Sequence, residues 1–133
     1  MRSGKDLRRC SDAVVLTRGD SSRFCAYPAI AASGRRVHVA WMEREGKHYQ
    51  VWYSGSADGG KTWSEPALLS RPDKASDLLT TDGFREPFGH YMSLADDGEG
   101  TVHAVWGVGG SAEGEKRRRG EIWYGAVRWP LTK

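Results

Sequence analysis

The densest chemistry in this chain of 133 residues lies in one short run, Asp82-Gly83-Phe84-Arg85-Glu86-Pro87-Phe88-Gly89-His90-Tyr91, where an arginine, two carboxylates, a histidine and a tyrosine fall within ten positions. A guanidinium can clamp a carboxylate or phosphate with two parallel hydrogen bonds. A carboxylate beside a phenol can take its proton and turn it into a nucleophile. The run therefore reads as a candidate site in which Asp82, Arg85, Glu86, His90 and Tyr91 crowd the mouth of a strand. Each has a plainer reading. Tyr91 can be a core aromatic of a strand, and Arg85 can brace its loop by pairing with Glu86 or Asp82.

Composition narrows what such a site serves. The hydrophobic share is 38%, with six Trp, five Tyr and three Phe, enough for a packed core in one ordinary domain. Seventeen glycines and short β-branched or aromatic runs between Gly, Asp and Ser point to an all-β chain. A formal net charge of +3 is a mild excess, so no nucleic-acid partner is expected, and Lys116-Arg117-Arg118-Arg119 reads as a solvated loop that could attract an anion. No apolar run approaches the ~20 residues that span a bilayer, so no membrane partner is expected. The basic start is followed by no signal-like apolar stretch, and the chain reads as cytoplasmic as written. Cys10 and Cys25 are too few for a disulfide framework and fit no metal spacing, and neither a cofactor nor a metal is expected. Arg18-Gly19-Asp20 spells an adhesion tripeptide by chance.

The elements that must carry the site are announced by Ser56-Ala57-Asp58-Gly59-Gly60-Lys61-Thr62-Trp63, a complete S-x-D-x-G-x-T-W pattern. It follows the strand-like Tyr49-Gln50-Val51-Trp52-Tyr53 and precedes an apolar run ending at Leu69, as a hairpin does. In such a turn Asp58 accepts backbone N–H groups, the glycines take positive φ and Trp63 folds back as a plug. The pattern resembles the Asp-box of the BNR-repeat, sialidase-like β-propellers. In that family the box is a structural staple on the face away from the active site.

A repeat then sets the architecture. Residues 27–41, with Val37-His38-Val39-Ala40-Trp41, are echoed by residues 91–106, with Val102-His103-Ala104-Val105-Trp106; Val51-Trp52-Tyr53 is echoed by Ile122-Trp123-Tyr124. His38 and His103, in matched positions, read as structural. With blade strands labelled A to D from the axis outward, the expected order is D-ABCD-ABC. It comprises an orphan strand at 13–17, blade one at 27–69, a loop at 70–89 and blade two at 90–129. The fold expected is an all-β propeller module of two four-stranded antiparallel blades. Two blades cannot close a ring, so either the chain is part of a longer propeller or copies assemble. Three copies of 133 residues make 399, the size of six blades, and a homo-oligomer, a trimer first, is expected.

The resemblance also implies an activity. Tyr91 opens an inner strand as Tyr91-Met92-Ser93-Leu94-Ala95, similar to the Y-S-x-L-A of the sialidase closing blade, and falls at the family's catalytic tyrosine, which a nearby Glu activates. The resemblance thus implies Tyr91, Glu86 and Asp82 as catalytic groups and Arg85, His90 and Arg44 as substrate-binding groups. A neutral phenol suits a substrate that carries its own carboxylate, an exception to the usual two-carboxylate glycosidase scheme. The family pattern is incomplete, however. There is no N-terminal F-R-I-P motif, Phe84-Arg85-Glu86-Pro87 comes too late to stand for it, and the family's third arginine falls near His48, four residues after Arg44. The resemblance implies either sialidase-type retaining hydrolysis of an anionic, sialic-acid-like carbohydrate, or a non-catalytic module binding carbohydrate or protein, or a structural piece of a larger propeller.

Overall fold

The structure, a computed structural model, describes residues 12–17, 24–45, 48–70, 91–110 and 119–130. These residues form seven antiparallel strands in two sheets, with no helix among them. The first sheet holds β1 (Phe24–Ser33), β2 (Arg36–Glu45), β3 (His48–Ser56) and β4 (Ala67–Leu68) in the order β1-β2-β3-β4. The second holds β5 (Met92–Asp96), β6 (Thr101–Gly110) and β7 (Arg119–Arg128) in the order β5-β6-β7. The protein is thus all-β, built from two meanders.

Strand β2 shows why the sheets stack. Alternation puts His38, Ala40 and Met42 on one face and Val37, Val39 and Trp41 on the other, so the strand is apolar on both sides and needs cover on both. The first face meets the second sheet. Ala40, Met42 and Val51 pack against Ala104 and Trp106, with Leu69, Met92, Leu94 and Trp123 around them. Full burial of side chains such as Met42 and Val51 is worth about 1.5–3 kcal/mol each. Strand β1 packs beside β5, so the two sheets lie face to face along their first strands.

Turn chemistry fixes the register. Gly34 and Gly98 adopt φ of 60° and 82° in the β1–β2 and β5–β6 turns, values an L side chain takes only at a cost. A bulge interrupts the β1–β2 ladder between Ala26 and Ala29, where Tyr27 adopts φ 53°. Its ring turns against the intersheet cluster.

One expected element is different. Residues 13–17, expected as an orphan strand, form no ladder with the other described residues. The segment does not lie along an edge of the first sheet, where a ladder would form. It rests instead on the outer face of that sheet, where Val14, Leu16 and Thr17 border a cavity floored by Val39 and Trp41.

The tightest contact is between the end of β7 and β3. A Cβ on Gly55 would stand 2.6 Å from the Trp129 ring, which is stacked edge-on against His38 and Tyr53. Gly55→Ala is therefore expected to push Trp129 out of this site and cost about 1–3 kcal/mol. A lower melting temperature with a red-shifted tryptophan emission checks this, and an unchanged melting temperature contradicts it.

Candidate functional site

The two ends of the sheets differ. At one end lie the β1–β2 turn, the Asp-box and the β5–β6 turn; Gly59 N–H donates to Arg35 C=O at 2.8 Å between the first two, and Trp129 N–H, just after β7, donates to Gly100 C=O of the third at 2.7 Å. At the other end lie the margins of the β2–β3 and β6–β7 connections, the exit from β4 at Ser70 and the entry to β5 at Tyr91. Eight residues of β2 separate Arg36 from Arg44, about 26 Å of strand. The two ends are therefore chemically independent.

The Asp-box is a closed hydrogen-bond unit. Asp58 Oδ1 accepts from Lys61 N–H and Thr62 N–H, both at 2.9 Å, and from Ser56 Oγ–H at 2.8 Å, while Oδ2 accepts from Thr62 Oγ1–H at 2.7 Å. Ser56 Oγ accepts from Gly60 N–H at 2.8 Å, and Trp63 folds back so that Nε1–H donates to Gly60 C=O at 2.9 Å. Gly59 and Gly60 take φ of 80° and 87°. The donors from Thr62 and Ser56 hold the Asp58 carboxyl far below the ordinary carboxylate range. Both oxygens are engaged by the turn itself, so Asp58 shapes a hairpin.

A second unit at the same end joins the sheets. Asp96, on β5, inserts its carboxylate between Arg36 and His38 of β2: Oδ2 is 3.0 Å from Arg36 Nε and 3.1 Å from His38 Nε2, and Oδ1 accepts from an Arg36 terminal N–H at 3.1 Å and from Gly98 N–H at 2.8 Å. Because a carboxylate only accepts, His38 donates from Nε2, and Nδ1, 2.8 Å from the Tyr53 oxygen, accepts that hydroxyl. Burial lowers the His38 pKa against the opposing pull of Asp96, and burial, aided by Asp96, raises that of Tyr53. Burial works against the Asp96 charge too, but Gly98 N–H, His38 and Arg36 outweigh it and the net shift is downward. The side chains of His38 and Asp96 are 0% and 1% exposed, so this arrangement of His, Asp and Tyr meets no substrate and acts as a brace.

Two of the expected site residues, Tyr91 and Arg44, stand at the opposite end. Tyr91 stands at the entry to β5, 75% exposed, with its C=O accepting from Gly107 N–H at 3.2 Å. Arg44 is exposed near the end of β2, paired in register with Phe24 and Tyr49. Asp82, Arg85, Glu86 and His90 lie outside the described residues. Among the described residues no cluster of His, Cys, Asp and Glu is arranged to hold a metal. No described helix is long and apolar enough to cross a membrane. Compared with known proteins, the chain matches no family, no curated protein and no solved structure.

The brace escaped sequence reasoning because it joins unlike copies of the repeat. His38 matches His103, but Ala32 stands where the second copy has Asp96. The available signal was the recurrence of a histidine and a tyrosine on neighbouring strands: His103 Nδ1 also lies 2.9 Å from the Tyr124 hydroxyl.

Both units predict an acid response. The Asp58 and Asp97 carboxyls are depressed, Asp97 to about 2 by Thr101 and Glu99 N–H groups. Their contribution is complete above the ordinary carboxylate value and is lost as pH falls toward 2 and below. Asp58→Ala is expected to lower the melting temperature by several degrees at pH 7 and by progressively less toward pH 2. His38, also depressed, contributes above its ordinary value near 6.5 and loses that contribution as pH falls below it. His38→Asn should therefore flatten the decline in melting temperature between pH 7 and 5, and parallel curves for variant and wild type contradict the buried neutral histidine.

Proposed function

We propose that this chain is a sialidase-like propeller module that binds an anionic, carboxylate-bearing carbohydrate at the end of the sheets opposite the Asp-box. The observation that carries the reading is the Asp-box itself, in which every constrained position of S-x-D-x-G-x-T-W performs its own part in closing the turn. The box staples one end, which leaves the connections at 70–91, 46–47 and 111–118 to make the recognition surface. Arg44 at that end and Arg85 in the preceding loop supply guanidinium groups for a sugar carboxylate, and Tyr91 supplies an exposed ring on which a pyranose face can rest.

Retaining hydrolysis needs more. Tyr91 would attack the anomeric carbon as its phenolic proton passes to a carboxylate such as Glu86 or Asp82, an acid would have to protonate the departing oxygen, and water would then release the sugar from the tyrosine. One observation favours binding without turnover: Tyr27, which holds the position of Tyr91 in the first repeat, packs against the intersheet cluster. A tyrosine at this point of the repeat serves packing in at least one copy.

Titration calorimetry with sialic acid tests the reading. Binding that weakens with salt and by about tenfold in Arg44→Ala and in Arg85→Ala is expected, with no release of fluorophore from a fluorogenic sialoside. Turnover lost in Tyr91→Phe would establish the hydrolase instead, and the absence of both binding and turnover contradicts the carbohydrate reading.

A further inference from the structure

The repeat shows how one sheet face of this protein is covered and leaves the matching face of the next sheet bare. His38, Ala40, Val51 and Tyr53 of the first sheet are buried under the second sheet. Their counterparts in the second sheet are His103, Val105, Ile122 and Tyr124. They form the face turned away from the first sheet, and there Ile122 is 79% exposed, Tyr124 63% and Val105 41%. An apolar face of this kind on a described surface calls for a partner.

The opposite side of the molecule carries the complement. In the intersheet contact, the covering face of the second sheet presents Leu94 and Trp106; the same positions in the first sheet are Ile30 and Trp41, on its outer face. Ile30 is 69% exposed, and Trp41 and Val39 floor an open cavity of about 280 Å³ whose wall is Val14 and Leu16. The wall also belongs to the pattern. Val14-Val15-Leu16-Thr17 followed by Arg18-Gly19-Asp20 matches Ala67-Leu68-Leu69-Ser70 followed by Arg71-Pro72-Asp73. Leu69 lies against the second sheet, with a methyl 3.5 Å from where a Gly125 Cβ would be and its place in the cluster beside Trp106. Leu16 lies against the first sheet beside Trp41, in the matching place.

The free edge completes the match. In the first sheet Val51 turns its N–H and C=O toward β4: Leu69 N–H donates to Val51 C=O at 2.8 Å, and Val51 N–H donates to Ser70 Oγ at 3.0 Å. Ile122 holds the same register on β7, which has no fourth strand beside it among the described residues. We propose that this face is occupied by a second copy of this chain, joined head to tail. The face with Val105, Ile122 and Tyr124 docks on the outer face of the neighbour's first sheet, Ile122 fills the cavity over Val39 and Trp41, and the neighbour's residues 14–17 pair with the edge of β7. Leu16 N–H then donates to Ile122 C=O, and Ile122 N–H to Thr17 Oγ1. Such an interface uses different surfaces on its two sides, so copies add until the ring closes. Closure at three copies, six sheets in all, rests on the proposed sialidase-like propeller reading.

Light scattering and mixing test this without reference to any sugar. The wild type is expected at three chain masses, and a folded monomer overturns the proposal. Ile122→Glu and Ile30→Glu change exposed side chains on opposite sides of the molecule, so both should fold, with circular dichroism and melting as the check, and each alone should be monomeric. Mixed, the two variants still own one intact side each and should form a one-to-one complex of two chain masses. Variants that stay associated alone, or that remain monomeric when mixed, overturn the head-to-tail arrangement.

Discussion

A strand that is apolar on both faces has to be covered twice, and most of this structure follows from that requirement. Val37, Val39 and Trp41 on one side of β2 and Ala40 and Met42 on the other cannot both face one neighbour. The second sheet satisfies one side, through a dry contact of Met42 and Val51 with Ala104 and Trp106. The segment at 14–17 satisfies the other only in part and leaves a cavity beneath it. Since the second sheet is built from the same pattern, it inherits the same need and meets it on one face only.

Stacking sheets on apolar faces alone leaves them free to slide. The Asp96 carboxylate removes that freedom by binding Arg36 and His38 of the other sheet at one level of the strands, with Trp129 closing over His38 and Tyr53. Burying a carboxylate is tolerable here because three donors, an Arg36 terminal N–H, His38 and Gly98, share its oxygens, and the Arg36 charge lies 3.0 Å away. The Asp-box does the same for one hairpin, through local donors. Both devices sit at one end of the sheets, and Arg44 and Tyr91 stand at the other.

Much of this was legible in the residues. Alternating apolar strands separated by Gly turns placed β2, β3, β6 and β7 to within a few positions, and the motif gave the roles of Asp58, the glycines and Trp63. Two features were hidden for physical reasons. The β-prone residues 13–17 lie across the outer face of the first sheet, not along an edge, and form no ladder with the other described residues. The Asp96 brace needs two unlike copies of the repeat to meet, and a pattern read from one copy, where Ala32 holds that place, contains no carboxylate to predict. Tyr91 was placed correctly at the mouth of β5, and its exposed setting and its counterpart Tyr27 give it a packing role to weigh against the chemical one.

The claim that both faces of each sheet require cover is tested most directly by amide hydrogen exchange along β7 at increasing protein concentration. The account predicts that the Ile122 N–H, at the free edge, exchanges quickly in dilute protein and becomes protected as concentration rises, while the Val51 N–H, already bonded to Ser70, stays protected throughout. Rapid exchange at Ile122 at every concentration would contradict it.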